Sequence, residues 1–576
     1  MGWRRYLLLA LLGLALSAAV AAFQSTPGYM DADYYFAGGL QLASGRGLTE
    51  PFLWNYLDDP SGLPHPAFSY WMPLTAFLAA LGMVLTGHLA WFAARLPFLL
   101  SSALIPPLTA AISYALTSRR DLAMLSGLLA VFSGSYAPYL TTTDSFTPYM
   151  LFGALFWLVV GGRWRIVDGQ PQIAISQSPA SNGSPPTGNR KSEIVNRKSE
   201  IVSPFLLGFL AGLMHLTRAD GILWLPLAFL AVIFIYSPSS LLSHHAASLT
   251  HHSSLITRSF SRITPHVIRL IRSLLGYLLV MLPWFVRNQV TFGTPLAPGG
   301  SRALWLTQYD QLFAYPASQL TFASWWRSGL GGILGDRIWA LGMNLANTLA
   351  VQGNVFLLPL ILIGLWQLRR DRRVWLAVLA WGLTFVVMTL VFPLAGARGG
   401  YLHSCAALQP FWWAVAPLGL ARLIAWGARR RGWREGQAFT VFAAGTVGIT
   451  ILATALVVQG KVIGSVGGEE AWSQERAAYS RLENILDKQG APSDAVVIVV
   501  NPPGYYLASG RPAIAVPDGD VQTVLEVASR YNARYLILEK ESLPRALGEL
   551  YDQPAQWNEF RLLGEEDGAR ILVIQH

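Results

Sequence analysis

"MDADYYFAGGLQLASGRGL" (Met30–Leu48) follows the first apolar stretch of the chain and sets two carboxylates, Asp31 and Asp33, where a chain leaving a membrane meets water. Carboxylates are costly in hydrocarbon, so an Asp-x-Asp pair there faces water, a partner or a substrate. That reading requires a membrane protein, and the composition supplies one. The 576 residues are 53% hydrophobic and only 13% charged, with a mean hydropathy of +0.40. A soluble chain carries roughly twice that share of charge. Apolar runs of about 17–25 residues, enough to cross a bilayer, recur. The net charge of +10 is no nucleic-acid signal, because the basic residues cluster in short loops between apolar runs. Cys405 is the sole cysteine, which excludes an intrachain disulfide.

Basic clusters orient the threading. Arg4/Arg5, "SRRD" (118–121), "GGRWR" (161–165), "RRDRR" (369–373) and "RRRGWR" (429–434) are placed on the cytoplasmic side. Tyr6–Ala22, behind the basic "MGWRR", resembles a signal-peptide core and is read as an uncleaved first span. Further spans are expected near 92–117, 121–139, 148–162, 204–217, 221–236, 267–287, 353–368, 374–393, 409–427 and 438–459. A crossing at 70–87 would invert every later loop, so that stretch, with its "YWMP" start, is read as a helix at the outer interface. The expected fold is mainly α: a polytopic bundle of about eleven spans over residues 1–459, with a small C-terminal α/β domain outside the membrane over 460–576. The last segment holds 17 of the 32 acidic residues but 11 of the 42 basic ones. "DAVVIVV" (494–500), "AIAV" (513–516), "RYLILE" (534–539) and "RILVIQ" (570–575) read as strands, and "DVQTVLEVASRYN" (520–532) as a helix. "NPPGYYLASGRP" (501–512) reads as a turn-rich loop without a phosphate-binding glycine pattern, so no chemistry is assigned to it.

Two inserts are placed in the cytoplasm. Residues 163–203 are rich in Ser, Pro, Asn and Gly, contain "NRKSEIV" twice in tandem (189–195, 196–202), and read as a disordered linker. Residues 237–266 carry "HH" at 244–245 and 251–252, but no carboxylate or cysteine accompanies them, so no metal ligation is assigned.

The candidate chemistry lies on the outer side. Asp31 and Asp33 open a long loop (24–91), Asp144 sits in "TTTDSFTPYM", and Asp220 sits in "HLTRADG" beside Arg218. Singly, each aspartate is also what a helix cap or solvated loop supplies. Several converging would suit proton abstraction or the holding of a polar substrate. Trp54, Tyr56, Phe68, Tyr70 and Trp71 in the first loop offer flat faces for a sugar ring or a membrane interface, and His65 lies just before Pro66 in an extended stretch. Arg218, Arg287, Arg302, Arg398 and His403 are the outer-side groups available to a phosphate; Arg398 and His403 share the glycine-bearing "AGARGGYLHS" (395–404). "GLGGILG" (329–335), in the outer loop 288–352, follows no strand and is read as structural.

The order of these features resembles the GT-C glycosyltransferases, which include protein O-mannosyltransferases, lipid A aminoarabinose transferases and oligosaccharyltransferase catalytic subunits. The carrying residues are Asp31, Tyr35 and Gly45, similar to an Asp-x₃-Tyr…Gly opening, then the "YWMP" helix and Asp144 as second acidic position. Asp33-Tyr34-Tyr35 matches as Asp-x-Tyr equally well, so the base is Asp31 or Asp33; the oligosaccharyltransferase "WWDYG" signature is absent from the sequence. The resemblance implies an inverting transfer from a polyprenyl-phosphate sugar to an acceptor hydroxyl at the outer face. Asp31, Asp33 and Asp144 would be catalytic, with His65, Tyr70, Trp71, Arg218, Asp220, Arg302, Arg398 and His403 around the substrates. No soluble cofactor is expected and no metal ligand is assigned, a divalent cation being left open. The expected partners are the lipid-linked donor and the bilayer, with no nucleic acid. A transporter or flippase of lipid-linked sugars is the alternative, but it calls for charged or broken helices at mid-membrane.

Overall fold

The computed structural model describes residues 1–161, 190–235, 255–465 and 470–575. The histidine pairs of the second insert and residues 163–189 of the first lie outside the described residues. Residues 190–203, expected as linker, begin the helix Arg190–Thr217. "RKSEIV" holds good helix formers and no glycine or proline, so it continues the apolar span that follows.

The chain is mainly helical. Six helices have the length and composition to cross a membrane: Trp3–Ala21, Trp91–Thr117, His266–Phe292, Arg372–Val391, Pro393–Arg431 and Glu435–Ile463. Gly329–Gln352 and Leu357–Gln367, bent by 89°, make a seventh if counted as one span. Leu74–Thr86, Phe146–Val160, Ser203–Thr217 and Ala219–Phe234 are apolar but shorter. The expected count of about eleven is therefore not reproduced by length and composition among the described residues. The Gly329–Asn347 helix corrects the reading of 288–352 as wholly loop. After its leading glycines, Leu330, Ile333, Leu334, Ile338 and Leu341 recur at helical spacing.

Helices meet closely where glycine removes a side chain. A Cβ on Gly153 would lie 2.1 Å from the Ala407 carbonyl oxygen, and one on Gly419 1.9 Å from that of Leu360. This is the small-residue contact that membrane helices use in place of a hydrophobic driving force. The basic loops gather at one end: Arg373 donates to the Ala115 carbonyl at 3.1 Å, and the Arg119 guanidinium sits 5.7 Å from the Phe439 ring.

The other end carries two sheets. In the first loop β1 (Thr49–Glu50) pairs antiparallel with β3 (His65–Pro66). The second sheet has six strands in the order β2-β5-β4-β6-β8-β7. β4 (Val496–Val499), β5 (Ala513–Ala515), β6 (Ala533–Glu539) and β8 (Ala569–Ile574) fall where strands were expected, and β7 (Phe560–Glu566) adds to them. β2 (Phe52–Leu53) comes from the first loop and pairs parallel with β5. The C-terminal sheet is thus completed by residues from the opposite end of the sequence. The Tyr56 hydroxyl reinforces the join by donating to the Ala515 carbonyl. "NPPGYYLASGRP", read as a loop, forms the helix Pro502–Ser509. The Asn501 side chain caps it, proline occupies its first turn, and Gly510 ends it at φ +78.

Candidate active site

The opening acidic stretch is itself helical, Met30–Ala43, and both aspartates lie in its first turn, where carboxylates favour the helix dipole. Two residues of α-helix turn about 200°, so Asp31 and Asp33 face opposite sides. Asp31 points toward Asp144 and His403. Each of the three offers a ligand atom, all within 4.8 Å of one another.

Asp144 has no exposed surface. Its Oδ2 accepts from the Tyr29 hydroxyl at 2.6 Å and lies 3.5 Å from His403 Nε2; its Oδ1 accepts from the Ser145 amide. The His403 ring stands edge-on to Phe146, centroids 3.9 Å apart. Arg218 closes the group. Its Nε donates to Asp220 Oδ1 at 2.8 Å, and two other nitrogens lie 3.5 Å from Ser145 Oγ and the Gly400 carbonyl. The Tyr149 hydroxyl reaches Asp220 Oδ2 at 3.3 Å and accepts from Trp224 Nε1 at 3.0 Å.

These surroundings tune the carboxylates. Burial pushes the Asp31 carboxyl up to about 7; the Asp144 charge adds to the rise and the Arg218 guanidinium opposes it. Burial also raises Asp144, against the Tyr29 and Ser145 hydrogen bonds and Arg218. A carboxylate poised near neutral pH has the affinity a general base needs.

Asp33 sits elsewhere. It is buried on the far side of the helix and accepts from Asn501 Nδ2 at 3.0 Å. Burial holds its carboxyl well above the usual range, with Glu475 adding and Asn501 opposing. The Asp-x-Asp pair is therefore divided between two environments. His65 pairs with Asp58 at 2.7 Å and Arg302 donates to the Leu57 carbonyl at 2.8 Å; both brace the first loop. Arg287 donates to the Ala67 carbonyl at 2.7 Å. Trp71 stacks on Trp54, centroids 4.1 Å apart. Tyr70 lies within the electrostatic reach of Asp31 and Arg218. Arg398 stacks over the Tyr309 ring at 5.0 Å, and Tyr309 feels both Asp31 and Arg398.

Sequence reasoning missed Tyr29, Ser145 and Tyr309. Tyr29 and Ser145 adjoin residues already singled out, so their place beside the carboxylates could have been raised. Tyr309 comes from the 288–352 segment, where nothing in the residue pattern points to Arg398.

Similar folds occur among solved structures. The archaeal oligosaccharyltransferase AglB from Archaeoglobus fulgidus, in complex with an inhibitory peptide and a dolichol-phosphate, superposes with a TM-score of 0.53 at 12% identity, over 92% of this chain and 69% of that one. ArnT from Cupriavidus metallidurans bound to undecaprenyl phosphate gives 0.53 at 12% identity, over 98% of this chain and 97% of its own. The Archaeoglobus fulgidus oligosaccharyltransferase in complex with Zn and sulfate gives 0.52 at 12% identity, over 96% and 70%. The chain shares the fold of these neighbours. No family model and no curated protein matches the sequence.

Two carboxylates and an imidazole make a donor set that suits a divalent cation with open positions. Asp31, Asp144 and His403 are the residues placed to hold one. The sequence reading assigned no ligands because these three lie far apart in the chain.

Proposed function

We propose that the protein transfers a sugar from a polyprenyl-phosphate donor to an acceptor hydroxyl at the extracytoplasmic face of the plasma membrane, with inversion. The observation that carries this reading is the convergence of Asp31, Asp144, His403 and Arg218 at one site whose centre, Asp144, is buried. The GT-C fold adds to it, since similar structures hold dolichol-phosphate or undecaprenyl phosphate. Asp31 is the base: it takes the acceptor proton as the hydroxyl oxygen attacks the anomeric carbon and the bond to the lipid phosphate breaks. Arg218 and Arg398 bear the charge that develops on the leaving phosphate. Asp144, held by Tyr29 and Ser145, keeps Asp31 proton-hungry and orients His403. A divalent cation held by Asp31, Asp144 and His403 would supply further positive charge beside that phosphate. The extracytoplasmic placement is supported by the basic loops collecting at the end away from the two sheets.

The test is incubation of purified protein with radiolabelled polyprenyl-phosphate sugars and membrane extract. Label should leave the lipid and appear on an acceptor. Label that stays on lipid, yet crosses the bilayer of reconstituted vesicles, would replace this reading with the flippase alternative.

A further inference from the structure

The Met30–Ala43 helix has two faces, and only one is used by the site. The other is gripped by the C-terminal domain. Asn501 is 1% exposed and every polar atom of its side chain is engaged. Nδ2 donates to Asp33 Oδ2 at 3.0 Å and to Glu475 Oε1 at 2.8 Å, while Oδ1 accepts from the Gly504 amide at 3.0 Å. The Pro502–Ser509 helix comes so near that a Cβ on Gly504 would lie 2.8 Å from Asp33 Oδ2. At the far end Gln41 donates to the Tyr506 hydroxyl at 2.9 Å. Just ahead of the helix, Trp472 Nε1 donates to the Thr26 carbonyl at 3.1 Å and packs so tightly on Gly28 that a Cβ there would lie 2.2 Å from that nitrogen.

We propose that the C-terminal domain fixes the position of Asp31 through this grip, with Asn501 as the positioning residue. The helix is short and its first turn carries the reacting carboxylate. The Leu74–Thr86 helix packs against Gly38 and Gly39, and on the side where Asp33 lies the tie is a buried amide shared by two carboxylates. Removing the amide leaves a buried carboxyl without its donor and cuts the tie between the helix and the Pro502–Ser509 helix, which frees the first turn to shift. Displacements of about 1 Å at a reacting group cost on the order of 10²-fold in rate. The inference rests on Asp31 as base, but its structural half does not require transfer to occur.

Two readouts separate these halves. In Asn501→Ala, amide hydrogen exchange across residues 30–43 should rise at least about 10-fold while residues 96–117 stay as in wild type, because local opening follows lost ties. In transfer assays kcat should fall about 10–100-fold with donor KM within twofold, since positioning is lost and donor contacts are kept. The triple variant Asp33→Asn/Asn501→Asp/Glu475→Gln reverses each donor and acceptor and should restore both. Should Asn501→Ala unfold the sheet, seen as lost protection in β4–β6, the comparison passes to Tyr506→Phe. That variant removes only the hydroxyl reached by Gln41 and should raise exchange at 37–43. Unchanged exchange of the helix in a variant whose sheet stays protected overturns the proposal. Changed exchange with no transfer by wild type from any lipid-linked donor overturns the transferase reading alone.

Discussion

Asp31 and Asp33 are two residues apart on one helix and face different surroundings. Asp31→Asn keeps the size of the side chain and removes the proposed base, so kcat should fall about 10²–10⁴-fold. Asp33→Asn still offers a carbonyl oxygen to Asn501 Nδ2, and its activity should stay within about threefold of wild type, as conservative replacements at a kept hydrogen bond cost little. Equal losses in the two variants, measured in one transfer assay, would contradict this division. The resemblance to a known opening motif left both aspartates eligible; the stretch was read as the start of a loop, and the helix Met30–Ala43 sets the two on different sides. What the sequence hid was the identity of Asp33's partner, 468 residues away. Glu539 gives a pH effect of a different kind. Burial pushes its carboxyl up to about 7, against the Tyr479 hydroxyl that donates to it at 3.0 Å. Below the ordinary carboxyl range it is protonated in both folded and unfolded chains and makes no difference. Between that range and about 7 the unfolded chain has released a proton that the folded one keeps, so stability falls as pH rises through this window. Glu539→Gln removes the slope. Its melting temperature relative to wild type should therefore climb between about pH 5 and about pH 7.5.

At the scale of elements, the apolar runs were legible because a membrane helix must satisfy its backbone internally and so declares itself by composition. The strands at 494–500, 513–516, 534–539 and 570–575 were legible for a similar reason, being short, β-branched and bounded by turn residues. The Pro502–Ser509 helix was not, because "NPPG" is as good a turn as a helix start; the Asn501 cap decides the matter. Nor could composition say which glycines mark helix contacts. Gly153 does: its α-carbon faces the Ala407 carbonyl across a gap that admits no methyl group. Gly153→Ala should lower the stability of the detergent-solubilised protein by about 1–3 kcal/mol through overpacking. Gly335→Ala, where an added Cβ meets nothing within 4 Å, serves as the control in the same thermal assay and should be neutral or stabilising.

For the whole molecule, the sequence divides at about residue 460 by charge and pattern, and the structure crosses that division at several places, among them β2, Asn501 and Trp472. Orientation is a property of the whole and is tested as one. In a Cys405→Ser background, Arg370→Cys lies in the exposed basic end and Ser480→Cys on the exposed face of the Gln474–Lys488 helix. An impermeant thiol reagent, applied to cells whose outer membrane, if any, has been opened, should label position 480 at once and position 370 only after the inner membrane is breached. The opposite pattern would place the reaction on the cytoplasmic side.

The strand lent by the first loop also bears on how the protein is made. Tyr56 leaves the ribosome 459 residues before Ala515, the carbonyl it will meet. At bacterial to eukaryotic elongation rates of about 5–20 residues per second, Phe52–Leu53 waits roughly half a minute to a minute and a half without its partner. Through that interval an apolar strand edge is exposed while the helices insert, which invites pairing with other chains. A ribosome that stops before β5 releases a product whose first loop has no sheet to join. Quality control acting on that bare edge would clear truncated chains even when every membrane helix is in place.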